Sequence, residues 1–374
     1  MPSVLDILRP QVVNGIMNEI KTPFDRWQDF FGLGPKGSAC DPSETRSVSY
    51  DVLNDDRKVS AFSAPGSDAT RIAPQVIGNR VVTCPRAFEA IELSYEVLNN
   101  IRAVGKAADP GSQAALSYVR VQADMLKRRM RRWREFLIWG ALRGACSFVM
   151  SGTKWIPVMT GGTISFDWQV SANHKNQANG IVGTSWDNAA APLIGDLADI
   201  DAQSEADCGI PIRHIWCNGS RMQKILQNTE VRNLGGSANT AFEQWLIQMA
   251  QMKAYGGTDV DAWKIEASVV LKGYPSITFH VTNRIIDLNG TSTKFLGDDE
   301  LLLHPDPDRE WMKGYEVKES TNQTTGQAPV DVYGNSSWIK QPVDSDTPKY
   351  LLYGLDNFFP AVNPNAVWFL DVTP

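Results

Sequence analysis

Cysteine is scarce in this chain: five residues in 374 (Cys40, Cys84, Cys146, Cys208 and Cys217), odd in number and never spaced as CxxC. That usage excludes a disulfide scaffold and points to a reduced compartment. Long apolar runs are missing too. No stretch approaches the roughly 18 uninterrupted apolar residues of a membrane helix, so no membrane partner is expected. The opening stretch MPSVLDILRPQVVNGIMNEIKTPFDRW carries Asp6, Arg9, Pro10 and Glu19 where a signal peptide needs an apolar core, and it fails as one. A cationic surplus is also lacking, with 36 Lys+Arg against 42 Asp+Glu and a net charge of −6. Wholesale wrapping of nucleic acid is therefore excluded, although a local basic face is not.

Catalytic signatures are equally absent. There is no G-x-G-x-x-G after a strand, no GxxxxGK[ST] loop, no H-E-x-x-H and no G-x-S-x-G elbow. The four histidines (His174, His214, His280, His304) stand singly. His214 with Cys217 is the one metal-like spacing, and it suits a packed strand better than a zinc site. Asp298, Asp299 and Glu300 read as a solvated turn, with cation binding as the alternative. No catalytic residue, cofactor or metal is expected.

With 43% hydrophobic and 21% charged residues, the chain has a globular balance and length for two or three domains. Residues 1–44 hold two short amphipathic pieces, 4–20 and 24–31, broken by Pro10, Pro23 and the loop 32–37. Neither is long enough to be stable alone. This arm is expected to dock Leu5, Leu8, Ile16, Ile20, Trp27, Phe30 and Phe31 on its own body or on a neighbour. Residues 46–98 have strand texture, with Val48, Tyr50 and Val52 alternating against Ser47, Ser49 and Asp51. The polar excursion 54–79 carries Pro65-Gly66, Pro74 and Gly78-Asn79 and too few large apolar residues to bury itself. A two-stranded ribbon is marginal in water unless another surface supports it, which points to a partner subunit.

A helix of about 34 residues, roughly 50 Å long, is predicted from Asp109-Pro-Gly-Ser112 to Gly144. Val119, Ala123, Leu126, Met130, Trp133, Leu137 and Ala141 form its apolar stripe. Six basic residues within Lys127–Arg134 read as a solvated or ion-paired face, a nucleic-acid contact, or a surface for another subunit's acidic patch. A hairpin turning at Gly161-Gly162 is expected next, with Ile164, Phe166, Trp168 and Val170 alternating, followed by a polar loop over 170–186. A helix from Pro192 to Asp207, strand 212–217, helices 220–228 and 240–252, and strands near 263–271 and 277–283 describe an α/β unit. Beyond about residue 295 the chain returns to strand and loop.

Five stretches, taken in order, are similar to the lambda-type major capsid proteins of tailed bacteriophages: FFG with YDVLNDDRKVSAFSAPGSDATRI, WREFLIWGALRG, GTSWDNAAAPLIGDL, KFLGDDELLL and PAVNPNAVWFLDV. None is an active-site motif; the likeness lies in their order and spacing across most of the chain. The resemblance implies an α+β capsid fold, the one named for the Hong Kong ninety-seven phage. In that fold, 1–44 would be an N-terminal arm and 45–98 an extended β-hairpin loop lying over the adjacent subunit. Residues 99–190 with 291–374 would form a peripheral domain with a long spine helix and sheet, and 191–290 an inserted α/β axial domain. It also implies a non-enzymatic subunit that assembles with itself as hexamers and pentamers of an icosahedral head. Portal and scaffolding or decoration proteins would be further partners, with packaged double-stranded DNA contacted non-specifically. The subunit would be made in the bacterial host cytoplasm and reside in the virion. The expected intersubunit contacts are Trp27, Phe30 and Phe31 of the arm, Asp56, Arg57, Lys58, Phe62 and Arg71 of the excursion, and Arg128, Arg131 and Arg132 of the helix. A bacterial nanocompartment shell of the same fold, or a cytosolic α/β enzyme with its site in 191–290, are the alternatives.

Overall fold

The computed structural model describes residues 12, 26–35, 37–52, 78–94, 113–152, 154–158, 161–175, 181–234, 268–270, 277–288, 290–321, 330–340 and 349–373. Residues 53–77 of the excursion, with Asp56, Arg57, Lys58, Phe62 and Arg71, lie outside the described residues. So do Leu5, Leu8, Ile16 and Ile20, the helix start 109–112 and the expected helix 240–252. The described residues have an α+β inventory and fall into two units. One comprises those of Met1–Val48, Val81–Ile138 and Met312–Ala361; the other, those of Ser49–Arg80, Trp139–Trp311 and Val362–Pro374.

In the first unit, a six-stranded sheet is built on β14 (Met312–Thr321) and β17 (Lys349–Val362). β1 (Cys40–Ser43) runs parallel to β14, and β15 (Val330–Tyr333) antiparallel to it. β16 (Asn335–Lys340) and β4 (Arg86–Ser94) flank β17, both antiparallel. The long helix α2 (Gln113–Arg143), which follows the short α1 (Arg26–Phe30), packs on this sheet. Its sequence has no proline and a single glycine, Gly140, so propensity favours an unbroken helix. Ala115, Val119, Ala123, Leu126 and Met130 bury against Leu93, Tyr350 and Leu352, as the apolar stripe predicts. Contact is close at Gly354, where a Cβ would stand 2.8 Å from Leu126 Cγ. From Arg134 to Leu142 every residue is buried, so the amphipathic helix becomes enclosed all round. It stops at Gly144, whose φ of +90° is cheap only for glycine.

β2 (Ser47–Val52) pairs with β3 (Gly78–Thr83) and buries Val48, Tyr50 and Val52 while exposing the residues between, as the alternation predicts.

In the second unit a five-stranded mixed sheet runs β18 (Trp368–Asp371), β13 (Glu300–His304), β8 (His214–Cys217), β10 (Thr278–Val281), β9 (Ser268–Val270). β8 and β10 are parallel. The helix α3 (Leu193–Cys208) precedes β8 in the chain, and α4 (Gly219–Gln227) and α5 (Thr229–Leu234) follow it. Leu193, Leu197 and Ile200 of α3 and Met222, Ile225 and Leu226 of α4 share one core with Ile215, Phe279, Leu301, Leu303 and Trp368. α4 is capped by Asn218, whose side chain accepts from Arg221 N at 2.8 Å. A separate hairpin joins β11 (Ile285–Leu288) to β12 (Thr291–Lys294).

Two expectations need correction here. The segment after α2 is a three-stranded sheet, not a single hairpin turning at Gly161-Gly162. β5 (Ala145–Ser151) is central, with β6 (Lys154–Val158) on one side and β7 (Ile164–Asp167) on the other. The tight turn lies at Gly152, φ +62°, and Gly162 approaches the Phe148 backbone of the central strand. The described parts of 170–186, residues 170–175 and 181–186, are no simple polar loop either. His174 stacks on Trp368 with centroids 3.8 Å apart, and buried Trp186 donates Nε1–H to Asp196 Oδ2 at 2.8 Å.

Candidate functional site

A heavily constrained polar site lies where the end of the arm, the long helix and the sheet of the first unit converge. Trp27 and Phe31, four residues apart in and just past α1, both bury, and Phe30 sets its ring edge-on to Phe31 at 5.0 Å. Gln28 Nε2 donates to the Arg131 carbonyl at 2.8 Å, a buried bond that pins α1 to α2. Leu33 is fully buried, and Gly314 N donates to Ala39 O at 2.8 Å, continuing the attachment into β1.

At the centre is Arg134, with 0% exposure. Its Nε and Nη2 reach the two oxygens of Asp356 at 3.0 and 2.7 Å, a bidentate pair. Nη1 donates to Glu316 Oε1 at 2.8 Å and to the Leu33 carbonyl at 3.2 Å. The guanidinium carbon also sits 4.3 Å from the Phe358 ring centroid. Burial opposes the charge, but Asp356 and then Glu316 outweigh it and push the Arg134 pKa above the ordinary arginine value. One side chain thus ties together four elements or segments: 32–34 of the arm, α2, β14 and β17.

The remaining basic residues near it divide by environment. Arg128 pairs with Asp124 one turn earlier at 2.8 Å, and Arg129 with Glu89 at 2.6 Å. Lys127 is half-buried, and burial lowers its pKa. Arg131 is buried, and among the described residues its nearest carboxylate is Asp29 at 3.9 Å. Arg132 is exposed. Among the contact candidates, Trp27, Phe31 and Arg131 therefore bury within their own chain, Phe30 and Arg128 are half-buried, and Arg132 is open.

Sequence reasoning did not single out Asp356 or Glu316. A signal was present for Asp356: with Asn357 it interrupts the apolar run YLLYGLDNFFPAV, and polar groups inside a buried strand demand partners. Nothing local marks Glu316 or the Leu33 carbonyl.

Elsewhere, Cys217 is fully buried and its thiol is pushed up to about 12 by burial. His214 instead meets His280 and Asp306, each at 2.8 Å, as a strand pairing would place it. Asp298, Asp299 and Glu300 form an ion-paired turn, not a merely solvated one. Lys294 lies 2.9 Å from Asp298 and holds its carboxyl below the usual range; Asp299 meets Arg221, and Glu300 meets Arg143 at 2.8 Å. The loop 32–37 has the spacing G-x-G-x-x-G, yet it follows a helix and precedes a strand, the reverse of a dinucleotide site. No described helix is long and apolar enough to cross a membrane.

Comparison with known proteins gives one family match: the model described as phage major capsid protein E aligns with residues 33–344, over four-fifths of the chain. The stretches KFLGDDELLL and GTSWDNAAAPLIGDL lie inside the match; FFG and PAVNPNAVWFLDV lie outside it. No curated protein matches. Among solved structures, the chain is similar to a prophage capsid protein from E. coli CFT073, at 14% identity, 98% and 99% coverage of the two chains and a TM-score of 0.49. It is similar to the capsid of Ralstonia phage GP4 at 10% identity, 95% and 92% coverage and a TM-score of 0.49. A Synechococcus elongatus PCC 7942 encapsulin complex shares 10% identity, with 98% and 96% coverage and a TM-score of 0.41.

Proposed function

The chain belongs to the phage major capsid protein E family, a virion shell protein, and from that premise we propose that its copies close as hexamers and pentamers into an icosahedral head around double-stranded DNA. The family match over residues 33–344 carries this reading. The subunit works by assembly and not by catalysis. Its fold is that of the Hong Kong ninety-seven capsid, with arm 1–44, extended loop 45–98, peripheral domain 99–190 plus 291–374 and axial domain 191–290. The loop, through Asp56, Arg57, Lys58, Phe62 and Arg71, lies over the adjacent subunit. Portal and scaffolding or decoration proteins complete the head, and DNA is touched without sequence preference. Synthesis takes place in the host cytoplasm.

What supports the physical side of this reading is economy of contact. A shell must close rings of different size from one chain, so a rigid body has to carry arms and ribbons ordered by neighbours. The Arg134 junction supplies the rigidity by fixing helix, sheet and arm base together. Purified protein at rising concentration, viewed by negative-stain microscopy, tests the reading. Closed shells are expected; a monodisperse monomer under all assembly conditions would sink it.

A further inference from the structure

We propose that Glu319 is a positioning residue for assembly: its one carboxylate holds both feet of the β2–β3 ribbon on the sheet of the first unit. The inference rests on the reading of the chain as a self-assembling shell subunit and names a residue that acts there through the ribbon.

The chain enters β2 through Arg46 and leaves β3 through Cys84 and Pro85 to Arg86, the first residue of β4. Cys84 N donates to the Arg46 carbonyl at 2.8 Å, so the two feet touch each other. Both also reach Glu319, which lies on β14. Its Oε2 accepts from Arg46 Nη2 at 3.2 Å and from Asn357 Nδ2 of β17 at 2.7 Å, while Oε1 pairs with Arg86 Nη2. The Arg86 guanidinium carbon sits 4.3 Å from the Phe88 ring centroid, which holds that side chain from its other side. Beside Glu319, Lys318 Nζ meets Glu44 Oε2 at 3.0 Å, a second tie to the entering foot. All of these residues belong to the first unit.

What the clamp supplies is register. β2 and β3 pair with each other and with no other described strand. Val48, Tyr50 and Val52 bury one face of β2, but apolar burial is non-directional and tolerates sliding. Directed, charge-assisted bonds do not. The feet are one strand spacing apart, about 5 Å, whereas β2 is about 17 Å long. A slip of about 1 Å between the feet therefore moves the far end of the ribbon by about 3 Å, enough to spoil a close-packed contact with a neighbouring copy. The side chains of Arg46 and Arg86 are 51% and 34% exposed, so their ion pairs add little to the stability of the isolated subunit. Positioning and stability can thus be measured apart.

The test compares Glu319→Gln, which keeps the shape and removes the charge, and Glu319→Ala with the parent full-length chain. Urea midpoints of unassembled subunits should stay near that of the parent. Hydrogen exchange of the Cys84 amide should be at least ten-fold faster in both variants, and the protein concentration at which closed shells appear by negative-stain microscopy should rise at least ten-fold. Arg46→Gln and Arg86→Gln should each weaken assembly in the parent and add nothing once residue 319 is glutamine, because they act through the same carboxylate. Shells at the parent's concentration from Glu319→Ala would overturn the proposal and leave the shell reading intact, as would a fall in urea midpoint that accounts for the assembly defect. Fully additive effects of the arginine substitutions would overturn the shared clamp. Absence of shells from the parent itself would defeat the shell reading and this inference with it.

Discussion

Arg134 surrenders its hydration completely, and what it receives in return is geometric: two carboxylates, a carbonyl and an aromatic face. Buried ion pairs are weak evidence of net stability, because desolvation consumes much of the attraction. Breaking one side of such a pair is another matter. Arg134→Met leaves Asp356 and Glu316 buried without their cation, and should lower the unfolding free energy by about 3–5 kcal/mol. Urea titration of unassembled subunits measures this, and a loss under about 1 kcal/mol would mean that the carboxylates are rescued by water or protonation. A second residue makes a pH prediction. His304 is fully buried, accepts from Trp216 Nε1 at 2.8 Å and donates from Nδ1 to the Pro305 carbonyl at 2.6 Å, so the neutral ring is satisfied. Burial, reinforced by His214, lowers its pKa to about 3 from an ordinary 6.5. The unfolded chain therefore binds a proton below pH 6.5 that the folded chain refuses until about pH 3. Stability contributed by His304 is complete above 6.5 and declines as pH falls, by up to about 1.4 kcal/mol per pH unit. Unfolding free energies measured from pH 7 to 5 should show this decline. His304→Gln, which can accept and donate in the same two directions, should flatten it.

Among the elements, α2 and β17 meet backbone to side chain at Gly354, and this contact can be read as a coupled pair. Leu126→Ala should cost about 2–5 kcal/mol by cavity formation. Gly354→Ala pushes a methyl to within 2.8 Å of the Leu126 side chain and should also destabilise, but less so when Leu126 is already alanine. A double-mutant cycle in urea tests the coupling, and strict additivity would mean that the helix shifts freely over the sheet. The same elements show what periodicity can and cannot convey. The stripe Val119, Ala123, Leu126, Met130 and the alternation Val48, Tyr50, Val52 were legible because a buried face repeats with the period of its own element. The partner of β7 was not. Alternation reports which face is buried and says nothing about which strand lies alongside, so the pattern over 164–167 suggests the return of a hairpin whereas its neighbour is β5. The Arg134 site was half legible: a basic run and a polar interruption in β17 stood in view, separated by over two hundred residues, and only the sheet register joins them. The basic run itself was ambiguous from sequence because ion pairing to Glu89 and to Asp356 depends on strands distant in the chain.

For the molecule as a shell subunit, the decisive question is whether the excursion between β2 and β3 serves the chain's own fold or its neighbours. The described strands give a way to separate the two. Val52 closes β2 and Gly78 opens β3, and a Cβ on Gly78 would lie 3.7 Å from the Val52 carbonyl, so the strand ends are adjacent. Deleting Lys58–Ile77 leaves Leu53–Arg57 as a five-residue connection, within the range that closes a hairpin. Val48, Tyr50 and Val52 would keep their buried positions, and the Arg134 junction lies in other elements. The expected outcome is a soluble subunit whose urea midpoint stays near that of the parent, but which yields few or no closed shells by negative-stain microscopy. Net charge works in the same direction: at −6 per chain, copies repel one another over a Debye length of about 8 Å at physiological salt. Specific contacts have to overcome that repulsion, so raising the salt should rescue a part of the lost assembly if electrostatics were the excursion's main contribution, and none of it if apolar contact such as Phe62 dominates. Normal shells from the deleted chain, at any salt, would remove the excursion from the assembly mechanism.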